Sequence, residues 1–182
     1  MSSDRKSWQD VEHILNQLSL SGGATVADLA CGPGYFTIPL SKRVGTSGTV
    51  YAVDRNEVMI RNLKSNLADS APATKQNVRV IQSDVCSTSI PANSVDFVIF
   101  ANVMHDIENK KSFFDEVRKI SKSDARIIDI DWHKRETQVG PPLEIRLSEN
   151  EARKILKENG LIVSHAIDAG PYHYGFVCKL RS

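Results

Sequence analysis

The sequence is short of most features that would make its function easy to read. Its 182 residues hold only three cysteines, Cys31, Cys86 and Cys178, far apart and with no CxxC pair. That spacing excludes a disulfide framework and a paired-cysteine zinc site, and it suits a reducing compartment. Charge of one sign is missing too: 23 Lys and Arg stand against 22 Asp and Glu, and the basic residues are scattered. No field of the kind that draws nucleic acid follows from that balance. No apolar run approaches membrane-spanning length, and the opening MSSDRKSWQD lacks the apolar stretch of a signal peptide. A cytoplasmic protein with no nucleic-acid and no membrane partner is the expectation. Repeats, low-complexity tracts and linkers are absent as well, so the length predicts one domain over 1–182.

What is present alternates. Trp8, Val11, Ile14, Leu15 and Leu18 recur at helical spacing behind Ser7, predicting an N-terminal helix over 8–20 capped by that serine. Strands are then predicted at 25–30, 49–54, 78–84, 94–103 and 125–132, with helices at 35–44, 57–68 and 111–121 between them. Near-continuous apolar strands separated by helices imply an α/β fold, a mostly parallel sheet covered on both faces. The end breaks the pattern. Ser148-x-x-Glu151 is a capping box, and Asn159-Gly160 closes the helix it opens. LIVSHAID and YHYGFVCKL follow with only AGP between them, too little chain for a crossover helix. These two strands should pair antiparallel, leaving a seven-stranded Rossmann-like sheet with a reversed last strand.

The candidate site lies at the first strand-to-helix turn, where open α/β sheets bind ligands. In VADLACGPGYF the small residues Ala30, Gly32 and Gly34 allow a ligand to approach the backbone. A nicotinamide site would favour G-x-G-x-x-G, and Tyr35 occupies the place of its third glycine. A tight turn alone would explain such a loop, but acids also end the neighbouring strands. Asp54 stands 22 positions after Gly32, where a carboxylate can take ribose hydroxyls. Asp84, in IQSDV, can accept from an adenine amino group while the Val85 N–H donates to the ring. Either acid could equally serve as a helix cap or a turn residue.

Taken together, VADLACGPG, VYAVD, IQSDV, SVDFVIFANVMHDIEN and the terminal hairpin resemble the class I S-adenosylmethionine-dependent methyltransferases over residues 8–180. The resemblance is closest to the small type 11 branch, which includes ubiquinone and menaquinone C-methyltransferases. The one departure is Ala30 in place of the first glycine. The resemblance implies S-adenosyl-L-methionine (SAM) as cofactor and methyl transfer to a small-molecule acceptor. It places the cofactor in 25–132 and the acceptor-side loop, helix and hairpin in 133–180. It assigns Asp28 to the methionine ammonium, Ala30, Gly32 and Gly34 to main-chain approach, and Asp54 with Arg55 to the ribose side. Met59 would pack near the adenine, Asp84 and Val85 would read its edge, and Ala101 or Asn102 would face the methionine end.

His105, just past the fourth strand, is the catalytic candidate, with a structural hydrogen bond beneath the pocket as its competing role. Trp132 reads as an aromatic wall for the acceptor or as packing. No histidine or cysteine spacing asks for a metal. With a single helix before the first strand, the acceptor side is expected to be open, or closed by a second subunit in a homodimer. The alternatives are a SAM-binding protein that transfers nothing and an NAD-dependent oxidoreductase. A nucleic-acid or protein methylase would want an N/D-P-P-Y/F motif, which GPPL at 140–143 does not supply.

Overall fold

A computed structural model describes residues 3–181. Seven strands form one sheet in the order β3-β2-β1-β4-β5-β7-β6. They are β1 (Thr25–Leu29), β2 (Thr49–Asp54), β3 (Val78–Gln82), β4 (Val95–Ala101), β5 (Ser121–Trp132), β6 (Leu161–Asp168) and β7 (His173–Leu180). β1 pairs parallel with β2 and β4, β2 with β3, and β4 with β5. β7 runs antiparallel to both β5 and β6, so it alone is reversed. The short connection predicted this, because a four-residue loop can join only antiparallel neighbours.

The described residues form seven α-helices around the sheet: α1 (Ser3–Trp8), α2 (Val11–Asn16), α3 (Thr37–Val44), α4 (Glu57–Ala68), α5 (Pro72–Gln76), α6 (Lys110–Ile120) and α7 (Glu149–Glu158). Alternation along the strands sends alternate side chains to two cores. Val26, Val50, Ala52, Ile99 and Ile128 meet α2, α3 and α4 through Ile14, Leu40 and Leu63. Ala27, Leu29, Val98, Phe100 and Ile127 meet α6 and α7 through Phe113, Phe114, Val117 and Leu156. Ser148 and Glu151 form the predicted capping box, each accepting from the other's main chain.

Several boundaries differ from the sequence reading. The helix expected over 8–20 is only Val11–Asn16, set off by Gln9 and Asp10 from a separate α1 that ends at Trp8. Asp10, not Ser7, is the cap of α2, accepting from the N–H groups of Glu12 and His13. The third strand stops at Gln82, because Asp84 turns the chain by accepting from the Cys86 N–H at 2.8 Å. β5 begins at Ser121 rather than 125, where Ser121 pairs with Val95 ahead of a register shift and Lys122 reaches Asp96 at 2.7 Å. Periodicity cannot foresee a pairing made by a bulge.

Candidate active site

The carboxyl ends of β1, β2 and β4 converge on the loop Ala30–Gly34. Two non-glycine residues there hold left-handed backbone, Ala30 at φ 58° and Asn102 at φ 61°. Such residues persist only where their surroundings impose the conformation. The Cys31 N–H donates to the Val53 carbonyl at 2.9 Å, and the Asn102 N–H to the Ile130 carbonyl at 2.7 Å. Gly32 (φ 54°) has open space where a side chain would project, whereas a Cβ on Gly34 (φ 94°) would stand 2.5 Å from Leu63 Cδ1. The loop is therefore packed on one side and clear on the other, the arrangement a ligand needs to reach main-chain groups.

Asp54 fixes the loop. Its Oδ2 accepts from the Gly32 N–H and its Oδ1 from the Asn56 N–H, both at 2.8 Å. Each oxygen keeps a further lone pair for an incoming hydroxyl. A cavity of about 310 Å³ opens in front of it, lined by Ala30, Asp54, Arg55, Asp84, Val85 and, across from them, Val103 and Asp106 to Asn109. That volume falls in the range of small-ligand clefts. The expected nucleoside residues Asp54, Arg55, Asp84 and Val85 thus line one cavity. Met59 lies in the first turn of α4, outside the cavity lining. Cys86 and the 106–109 segment also line the cavity and were not anticipated, since loop residues contribute without periodicity. Cys86 is no reactive thiol: burial, then Asp84 beside it, pushes its pKa up to about 11.

Asp28, Gly32, Gly34, Ala101 and Asn102 are outside that cavity's lining, and the N-terminal segment packs against Tyr35 and Asn102. Asp28 is buried and accepts from the Thr37 hydroxyl at 2.6 Å. Burial pushes its carboxyl up to about 7, Asp54 adds to the rise, and Thr37 and Arg5 oppose it. Gln9 is fully buried, and its side chain meets that of Asn102, whose Nδ2 donates to Gln9 Oε1 at 3.1 Å. Beside it Trp8, Trp132 and His173 cluster, the Trp132 and His173 rings 4.2 Å apart and the Trp8 ring stacked on His173 at 5.6 Å. The His173 imidazole is held neutral, burial and then the charges of Arg5, His133 and Arg146 driving its pKa down to about 3.

His105 sits in a single 3-10 turn, Met104–Asp106, with its side chain 3% exposed. Its Nδ1 is 2.7 Å from Asp131 Oδ1, and its Nε2 is 3.5 Å from Asp106 Oδ2. Burial opposes the imidazolium, but the Asp131 hydrogen bond and charge outweigh it, and the pKa is raised. Asp131 is the partner that sequence reading missed. It lies one position before Trp132 on β5, and only the β4–β5 pairing brings it under His105.

A parallel sheet reversed at its last strand, with an acid-braced loop on a nucleoside-sized cleft, defines the class I SAM-dependent methyltransferases. The chain matches the methyltransferase domain family over residues 20–174. It is similar to the structure of a SAM-dependent methyltransferase from Aquifex aeolicus, at 32% identity and a TM-score of 0.91, covering 98% of this chain and 94% of that one. A type 11 methyltransferase structure from Sulfolobus solfataricus is 30% identical with a TM-score of 0.78, covering 97% and 94%. Among curated proteins, a ubiquinone/menaquinone biosynthesis C-methyltransferase from Marinomonas sp. is 23% identical over 162 residues. That alignment takes in 89% of this chain and 61% of the relative's length. The chain belongs to the methyltransferase domain family, in its type 11 branch, and SAM is the cofactor of that class. No helix among the described residues is long and apolar enough to cross a membrane.

Proposed function

We propose that this protein transfers the methyl group of SAM to a small-molecule acceptor. The observation that carries the reading is the Asp54 carboxylate, which braces the left-handed loop while facing a cleft of about 310 Å³. SAM supplies an electrophilic methyl group on a sulfonium, so the protein's task is alignment and charge placement more than bond making. Asp54 and Arg55 hold the ribose side, and Asp84 with the Val85 N–H the adenine edge. Ala30, Gly32 and Gly34 give main-chain approach, and Asp28, with the main chain of Ala101 and Asn102, holds the amino-acid end.

The acceptor side is the edge carrying Trp132 and the turn of His105. Trp132 and His173 are buried against each other, so Trp132 packs rather than walling the acceptor, and a quinol acceptor is supported by the relatives named for demethylmenaquinone methylation. His105 has both nitrogens facing carboxylates and little exposure, which supports a post that positions the β4 turn over a base that meets the acceptor.

Calorimetry with SAM and S-adenosylhomocysteine, with NAD as comparator and Asp54→Ala as control, tests the cofactor half. Saturable binding of both adenosyl compounds, lost in Asp54→Ala and absent for NAD, is expected. No binding, or preference for NAD, would withdraw the assignment. Methyl transfer from labelled SAM across a metabolite panel that includes quinols then separates an enzyme from a SAM-binding protein without turnover.

A further inference from the structure

The site as read from the sequence gives Asp28 to an ammonium and leaves the carboxylate of the same α-amino-acid end without a cation. We propose that Arg5 supplies it, so that Arg5 on α1 and Asp28 on β1 flank the first loop as a pair of opposite charges for a ligand's α-amino-acid zwitterion. The inference rests on the cofactor reading above.

The placement of Arg5 is constrained on several sides. Its guanidinium stands 3.8 Å over the Tyr35 ring, the residue that follows Gly34 in the loop. Its Nη2 and Nε donate to Gln9 Oε1 at 2.7 and 3.2 Å. That same oxygen accepts from Asn102 Nδ2, and the Tyr35 hydroxyl donates to the Gln9 carbonyl. One buried glutamine therefore ties the arginine to the end of β4 and to the loop after β1. Among residues 5–181, whose side chains are described, no carboxylate is ion-paired with Arg5; its partners there are an amide oxygen and two rings. Asp28, likewise, has the Thr37 hydroxyl and no cation against it.

The electrostatics agree with the geometry. Burial lowers the Arg5 pKa and raises that of Asp28, and each feels the other's charge without touching it. Both move as charges do when removed from water without a counter-charge. A zwitterion between them would relieve both. The planar fork of arginine suits a carboxylate, with donors left over after Gln9 is served. The plainer role for Arg5 is a strut, its cation resting on the faces of Tyr35 and Trp8.

Decarboxylated SAM, which keeps the ammonium and sulfonium and lacks only the carboxylate, distinguishes the two roles. Affinities of SAM and of decarboxylated SAM are measured by calorimetry on the wild type, Arg5→Met and Arg5→Lys, forming a double cycle. The wild type should prefer SAM by roughly ten- to hundredfold, the value of one charged hydrogen-bonded contact. Arg5→Met should erase that preference, leaving decarboxylated SAM bound as before, and Arg5→Lys should restore part of it. A preference that survives in Arg5→Met, or an equal loss for both compounds in both variants, would make Arg5 a strut and overturn the proposal. Failure of the wild type to bind either compound would instead overturn the cofactor reading itself.

Discussion

At the scale of single residues, Asp28 is a buried carboxyl whose ionisation costs stability. Its carboxyl is raised to about 7 with Thr37, Asp54, Cys31 and Arg5 around it. An acid whose folded pKa lies above its unfolded value binds more protons in the native state, so stability falls as pH rises between the two. From the ordinary value of 3.8 to about 7, this amounts to roughly 4 kcal/mol at most. Asp28→Asn should therefore gain stability over the wild type as pH rises from 4 to 7, with a constant difference above. Denaturant titrations across that range check the sign, and the same variant should bind S-adenosylhomocysteine more weakly. Gly34 is constrained from the other direction. Alanine there would combine a left-handed φ of 94° with a Cβ 2.5 Å from Leu63 Cδ1. Gly34→Ala should cost about 2–4 kcal/mol in denaturant unfolding, whereas Gly32→Ala meets no atom and should cost about 1.

At the scale of elements, the N-terminal segment and the loop after β5 determine how the edge carrying Trp132 is covered. α1 reaches that edge because Gly170, in the β6–β7 turn, lets the Trp8 main chain lie against it; a Cβ on Gly170 would stand 2.5 Å from the Trp8 carbonyl oxygen. Gly170→Ala should lift α1 away while leaving the sheet folded. Faster hydrogen exchange in residues 5–9, with unchanged exchange in β1 and β4, is the expected result. The loop of 133–147 is held by Arg146, which is buried and donates to the carbonyls of Pro141, Arg135 and Val139 at 2.8, 2.8 and 3.2 Å. Arg146→Met should leave those carbonyls without partners and make the loop the first site of proteolytic cleavage, read by mass spectrometry of limited digests.

At the scale of the molecule, cofactor binding and folding are linked, because the cleft exists only when β1, β2 and β4 are assembled. S-adenosylhomocysteine at a hundred times its dissociation constant should stabilise the native state by about 2.7 kcal/mol. For a chain of this length that raises the melting temperature by roughly 5–10 °C. A calorimetric scan should show the shift growing with ligand concentration in the wild type and vanishing in Asp54→Ala. The same assembly explains the limits of sequence reading. The sheet and its reversed β7 were legible because burial imposes a period of two on strands, and because a short turn permits only one pairing. That Asp54, Asp84 and Val85 line one cavity was legible because they end or follow strands whose ends share one edge.

The sequence by itself determined the order of the strands and of α2, α3, α4, α6 and α7, the reversed last strand, the small-residue loop and the acids around it, since each depends on local spacing or on turn chemistry. Only the tertiary structure decided that Asp131 lies under His105, that Cys86 and residues 106–109 complete the cleft, and that Gln9 joins Arg5 to Asn102. Those contacts join residues 93 positions apart for Gln9 with Asn102, and 26 apart for His105 with Asp131. No local period records such pairs, because they are set by which strands lie side by side and by where a short helix comes to rest.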